Sequence, residues 1–279
     1  MNRQMMCLGL FSSMAACGGV RDLRPPNVRG DALPAATEHR GKEAVEAMLS
    51  AHGGLDRWRD FNFVSARASD EWYNTLYWRL LAPYRDNPEW VAVAAYVHDF
   101  PNARVQFLGG KNEGEVWVSR GDQIWRKNVD EEAKVIHVDD KGIFTTFAHG
   151  FAYWPTMPFA LATADSVAYV DTGEWEGRRY DRVLVSWDGL APKPDIDQWI
   201  LWIDVETKQL DRVWFTIRRV GRRAQGGYNL RHYQWVQGLK VPTVLEALLK
   251  PDGRPLHVYT YEDIEFSRRV DDGFLRSVR

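Results

Sequence analysis

The side chains with chemistry to offer are few and scattered along this chain. His149 lies within a run of aromatic residues and would act as a general base if Asp139 or Asp140 oriented it. An acidic pair ahead of a helix also serves as a cap, so both readings stay open. Asp195 and Asp197 straddle a loop beside Pro192 and Pro194 and offer two hard oxygens, where Ca²⁺ needs six or more; solvated loop residues are the expectation. Glu262, Asp263 and Glu265 on a late strand are expected to face water. The 7 His show no tight metal spacing, and the chain has no Gly-x-Ser-x-Gly elbow, His-Glu-x-x-His pair, Gly-x-Gly-x-x-Gly loop or EF-hand loop. These residues point to a protein without catalytic residues, metal or cofactor, whose business is binding.

The thiols tell more about place than about reaction. Of the 2 Cys, Cys7 falls in an apolar stretch from Met5 to Phe11 that follows Arg3, and Cys17 follows Met14-Ala15-Ala16. A positive start, a short apolar span and small residues before Cys17 resemble a bacterial lipoprotein signal peptide with its lipobox, and the span is too short for a permanent membrane helix. The resemblance implies cleavage after residue 16 and acylation of Cys17. An ordinary secretory signal and a buried N-terminus that happens to contain Cys are the competing readings. The body beyond Cys17 then has no thiol and must rely on a hydrophobic core rather than on disulfides. Gly18 after Cys17, where some lineages use an acidic residue to retain lipoproteins, points by analogy to the periplasmic face of the outer membrane.

Charge is nearly balanced, 36 Lys plus Arg against 38 Asp plus Glu, so no field favours nucleic acid. Arginines cluster at Arg218-Arg219, Arg222-Arg223 and Arg268-Arg269, where they meet either solvent or lipid headgroups.

The elements that must position any site follow from periodicity. Residues 17–36, with Gly18-Gly19, Pro25-Pro26, Gly30 and Pro34, read as a flexible tether. Ala44, Val45, Met48, Leu49 and His52 recur at helical spacing, which predicts a helix over 37–52 stopped by Gly53-Gly54. Leu55, Trp58 and Phe61 add one short helical turn. Strands are predicted at 116–119, 123–126, 167–172, 180–187, 199–204, 210–218, 228–236, 239–248 and 256–266, joined mostly by short turns in an antiparallel meander. Arg120-Gly121-Asp122 is read as turn chemistry. Val183, Val185 and Trp187 share one face of their strand, whereas Trp199 to Ile203 is apolar on both faces and needs cover on each. Between 141 and 154, Phe144, Phe147, Phe151 and Trp154 form one helical stripe, with Pro155 and Pro158 breaking it before Met157, Phe159 and Leu161. That stripe either plugs the core or roofs a cavity.

Four segments carry a family resemblance: Ala51-His52-Gly53-Gly54-Leu55 with Trp58, Tyr180-Asp181-Arg182-Val183-Leu184-Val185, Trp202 through Leu210, and Gly238-Leu239-Lys240-Val241-Pro242. They resemble exported bacterial proteins of the lipoprotein-carrier and lipoprotein-receptor superfamily. The resemblance spans most of the chain beyond residue 16 and implies a single mainly β (α+β) domain over residues 37–279. Its fold would be a curved, incomplete antiparallel β-barrel of about eleven strands with an N-terminal helix, closed on one side by a helical lid over an apolar cavity. The carrier type is soluble, so an anchored chain stands nearer the receptor type. None of the matched motifs is catalytic.

With 13 Trp, the chain has indoles to line such a cavity as well as to fill a core. The candidate ligand-contacting residues are Phe144, Phe147, Phe151 and Trp154 on the lid and Trp202, Trp214, Trp117 and Trp125 on strands expected to face it. The expected function is an envelope protein, lipid-anchored through Cys17, that binds or transfers a lipid, acyl chain or lipoprotein tail, with another envelope protein as a further partner. A structural lipoprotein with a filled core and an envelope hydrolase are the two other classes.

Overall fold

The computed structural model describes residues 19–29, 34–87, 89–98, 102–120, 123–127, 134–136 and 141–269. Cys17, Gly121, Asp122, Asp139 and Asp140 lie outside the described residues, as does the side chain of Phe144.

One antiparallel sheet holds thirteen strands among the described residues, rather than about eleven. Its first half comprises β1 (Phe63–Trp72), β2 (Glu89–Tyr96), β3 (Ala103–Phe107), β4 (Val116–Arg120), β5 (Gln123–Lys127) and β6 (Lys134–Ile136). The second comprises β7 (Ser166–Trp175), β8 (Arg178–Ser186), β9 (Trp199–Asp204), β10 (Leu210–Thr216), β11 (Gln225–Val236), β12 (Leu239–Leu248) and β13 (His257–Ser267). Each half is a meander, and the two are joined where β1 pairs with β13, so the sheet runs from β6 to β7 without closing. The free edges β6 and β7 are connected by a helical segment: α4 (Lys141–Tyr153), a 3-10 turn Trp154–Thr156 and α5 (Met157–Leu161). Helix, bend and second short helix follow the expectation, because proline at 155 and 158 lacks the N–H that would continue α4.

Helix α1 (Ala35–Ala51) packs along β7 with Val45 and Met48 buried. Gly41 makes that approach possible: a Cβ there would stand 2.8 Å from the backbone nitrogen of Tyr169. The helix ends at His52, Gly53 (φ 107°) and Gly54 (φ 85°), and α2 (Leu55–Arg59) follows. His52 is the joint between this helix and the sheet. Its Nδ1–H donates to the Lys240 carbonyl at 2.7 Å, and its Nε2 accepts the Leu210 N–H at 3.2 Å. Both nitrogens are used only by the neutral ring, and burial pulls its pKa down from 6.5 to about 4. Three of the four motifs that carried the resemblance therefore meet at His52, and the fourth, in β8, pairs with β9.

A pH prediction follows. The unfolded chain protonates His52 near pH 6.5 while the folded chain resists until about 4. The stabilising contribution is complete above pH 6.5 and is lost as pH falls toward 4, by about 3 kcal/mol in all. Urea melts at pH 7 and pH 4.5 should show this loss, and a His52→Asn chain should show a smaller one. An equal loss in both chains would assign the acid sensitivity elsewhere.

Residues 19–29 do not behave as the start of a free tether. Val28 is buried against Ala168, Val170 and Leu184 on the face of the sheet away from the helices, and Asn27 Nδ2 donates to the Val170 carbonyl at 2.9 Å. This segment is the cover that the two-sided apolar strand β9 required, through Ile200. Helix α3 (Thr75–Leu81), between β1 and β2, was not anticipated; Asn74 caps it by accepting the N–H groups of Leu76 and Tyr77.

Candidate functional site

The face of the sheet that carries the helices is an aromatic basin, and α4 with α5 fills it. The side chains of Phe147 and Phe151 on α4 and of Trp154 at the start of the 3-10 turn are all turned inward, as their spacing predicted. Phe147 lies 5.7 Å from Tyr84 and 6.1 Å from Trp72 between ring centroids. Phe151 meets Tyr259 edge-on at 5.2 Å, and Trp154 lies 4.6 Å from Tyr228 and 6.1 Å from Phe215. Phe159 of α5 stacks on Trp58 at 4.8 Å. Trp117 is fully buried on the same face beside Phe107, centroids 4.9 Å apart, but with its Nε1–H donated to Glu115 at 2.5 Å.

Three of the expected residues are on the opposite face. Residues three apart on a strand point to opposite sides, and in β9 it is Trp199, not Trp202, that enters the basin, stacked on Phe215 at 4.0 Å. Trp202 belongs instead to an outer rung, Asp171, Arg182, Trp202, Arg212, Asn229, Glu246, in register across β7 to β12. The guanidinium groups of Arg182 and Arg212 stand 5.0 and 5.3 Å from its ring centroid. Trp214 is also outside, because a bulge between Leu210 and Arg212 leaves Val213 and Phe215 pointing inward; its ring lies over Gly227, where a Cβ would come within 2.4 Å. Trp125 pairs with Val118, so it faces away from Trp117.

Sequence reasoning missed the polar group set into the basin floor. Asp70 and His257, on the paired strands β1 and β13, meet at 2.6 Å. Trp72 stacks flat on the His257 ring at 4.3 Å and donates its Nε1–H to Asp70 at 2.8 Å, while the Tyr84 hydroxyl donates to the same oxygen. Burial pushes the Asp70 carboxyl above its ordinary value against the attraction of His257. Burial likewise pushes the Tyr228, Tyr259 and Tyr261 hydroxyls well above 10, so these phenols stay neutral. The basin thus offers flat apolar rings with a few hydroxyl dipoles, which suits an uncharged chain better than a phosphate or a metal. His149 is half-buried on α4. Asp197, one of the two loop aspartates, accepts the Thr216 hydroxyl at 2.9 Å and the Arg218 N–H at 2.8 Å, a structural use of its carboxylate.

No family model and no curated protein matches the sequence. Solved structures share its fold. A domain assigned to outer membrane lipoprotein sorting, from Vibrio parahaemolyticus, is similar with a TM-score of 0.52 and 9% identity, covering 86% of this chain and 97% of that one. A DUF1329 family protein from Desulfovibrio piger is similar with a TM-score of 0.56 and 8% identity, covering 86% and 99%. At such identities the likeness is one of fold: the curved, incomplete β-barrel with a helical lid expected from the resemblance is the fold observed.

Proposed function

We propose that this protein is a lipid-anchored component of the bacterial envelope that binds or transfers a hydrophobic ligand in the aromatic basin, with α4 as a displaceable lid and without covalent chemistry. One observation carries the reading. Phe147, Phe151, Trp154, Met157, Phe159 and Leu161, which together occupy the centre of the basin, all come from the one segment joining edge strands β6 and β7. They can therefore leave without breaking a strand pair, while Val45, Met48 and Trp58 of α1 and α2 stay in place.

The energetics make the exchange a coupled one. Withdrawing Phe147, Phe151 and Trp154 would expose on the order of 500 Å² of aromatic surface, a cost of about 12 kcal/mol at 25 cal/mol per Å². An empty open basin is therefore scarcely populated, and the lid moves only as an apolar ligand covers the same rings. An acyl chain, a lipid or the acylated end of another lipoprotein has the required surface. Lid return would then drive release.

The test is native mass spectrometry and lipid extraction of the protein purified from membranes, together with uptake of a fluorescent fatty acid. Co-purifying lipid and saturable uptake are expected. Absence of both bound lipid and uptake would defeat the reading. The competing one, a structural envelope protein with a filled core, is favoured by the tightness of the packing seen here: Phe151, Met157, Phe159 and Leu161 are fully buried. A hydrolase has less support, because Asp70 and His257 are held by Trp72 and Tyr84 within the core.

A further inference from the structure

The two ends of the sheet expose different surfaces. In an antiparallel meander alternate connections fall at alternate ends, so those following β1, β3, β8, β10 and β12 share one end. That end displays Tyr73, Leu76, Tyr77, Leu108, Val220 and Leu249, each 40% to 64% exposed. Among the described residues, the other exposed large apolar side chain is Trp235, near the opposite end. Soluble surfaces scatter such residues, and their collection at one end marks a contact.

Cations are interleaved with them. The β10–β11 connection reads Arg219-Val220-Gly221-Arg222-Arg223 and the β12–β13 connection Leu249-Lys250-Pro251-Asp252-Gly253-Arg254, with every Arg and Lys exposed. By contrast, Arg178, Arg182 and Arg231 on the outer face are engaged by Asp211, Asp171 and Glu176.

The N-terminal segment starts from this same end. The Arg21 N–H donates to the Arg222 carbonyl at 2.8 Å, and the Arg218 guanidinium donates to the Arg21 carbonyl at 2.5 Å. Leu23 N–H is held by Gln198 Oε1 at 2.9 Å, after which the chain crosses the outer face to Val28. Cys17 is four residues from Arg21, a reach of at most about 14 Å.

We propose that this end of the sheet docks on an anionic lipid bilayer, with the side chains of Tyr73, Leu76 and Tyr77 in the interfacial layer and the β10–β11 arginines on the headgroups. Aliphatic and tyrosine side chains with flanking arginines are the composition that partitions to a bilayer interface, and anionic headgroups supply the complementary charge. The orientation deepens the lipid-anchor reading and rests on it: an acyl group on Cys17 would reach the bilayer only with this end facing it.

The experiment compares variants of one Cys17→Ser chain, so that the N-terminal apolar residues contribute equally throughout. Binding to vesicles of phosphatidylglycerol and phosphatidylethanolamine is measured by co-sedimentation. At about fivefold per arginine, R219Q/R222Q/R223Q should weaken binding on the order of 100-fold at low salt. Leu76→Ser with Tyr77→Ser should weaken it about tenfold, and Trp235→Ser should leave it unchanged; all these side chains are exposed, and thermal melts confirm the fold. Equal binding by all variants, equal binding to phosphatidylcholine vesicles, or self-association through this end in place of vesicle binding would overturn the proposal. The intact mass of the wild-type chain from membranes reports acylation separately, so failure of the anchor reading is distinguishable from failure of the docking end.

Discussion

Alanine at Gly53 is expected to cost about 3 kcal/mol or more of stability, while alanine at the adjacent Gly54 costs about 1 kcal/mol. Both glycines have positive φ, 107° and 85°, so both substitutions pay the conformational penalty of a side chain in that region. They differ in what the new methyl group meets. At Gly53 it would stand 2.2 Å from the Gly238 carbonyl oxygen and 3.2 Å from Leu239 Cα, backbone atoms of the β11–β12 turn that cannot swing aside. At Gly54 nothing lies within 4 Å. Separation of the two backbones would also pull His52 from Lys240 and Leu210, removing two buried hydrogen bonds. Urea unfolding followed by tryptophan fluorescence measures both variants. Equal losses would mean that the helix end and the turn are not in the contact described.

The second large effect separates a carrier from a filled scaffold. Phe151→Ala removes a fully buried ring packed on Tyr259 and should destabilise the protein by about 3–5 kcal/mol under either reading. Ligand uptake is where the readings part. For a lid that yields to an apolar chain, removing the ring lowers the cost of entry, so uptake of a fluorescent fatty acid should rise at least severalfold over wild type. Trp202→Ala, on the outer rung, should leave uptake where it was. A Phe151→Ala chain that is less stable yet takes up no more ligand would favour the structural reading.

How legible the fold was depended on whether a segment's own pattern agreed with its fate. Helix α1, predicted over 37–52, spans Ala35–Ala51, because apolar spacing and the double glycine stop both act locally. Strands β7 to β13 have Val, Ile, Trp and Tyr in runs that declare themselves. Strands β1 and β2 do not: Ala66, Ala68, Ala92, Ala94 and Ala95 are poor strand formers, held in the sheet by pairing with β13 and β3. Helix α3 had a readable signal in Asn74, an N-cap ahead of an apolar run.

What the sequence by itself determined was the set of parts: a helix with a stop, an aromatic helical stripe turned to one side, a meander of strands, and the spacing that puts Phe147, Phe151 and Trp154 together. Tertiary structure decided which face each strand shows. Trp199 and Trp202 are equally apolar locally, and only the register of β8, β9 and β10 turns one into the basin and the other out among arginines. It also decided the meeting of Asp70 with His257, residues 187 positions apart, because β1 must pair with β13 to join the two halves of the sheet. Local sequence encodes periodicity, whereas register and strand partner are set by contacts across the whole chain.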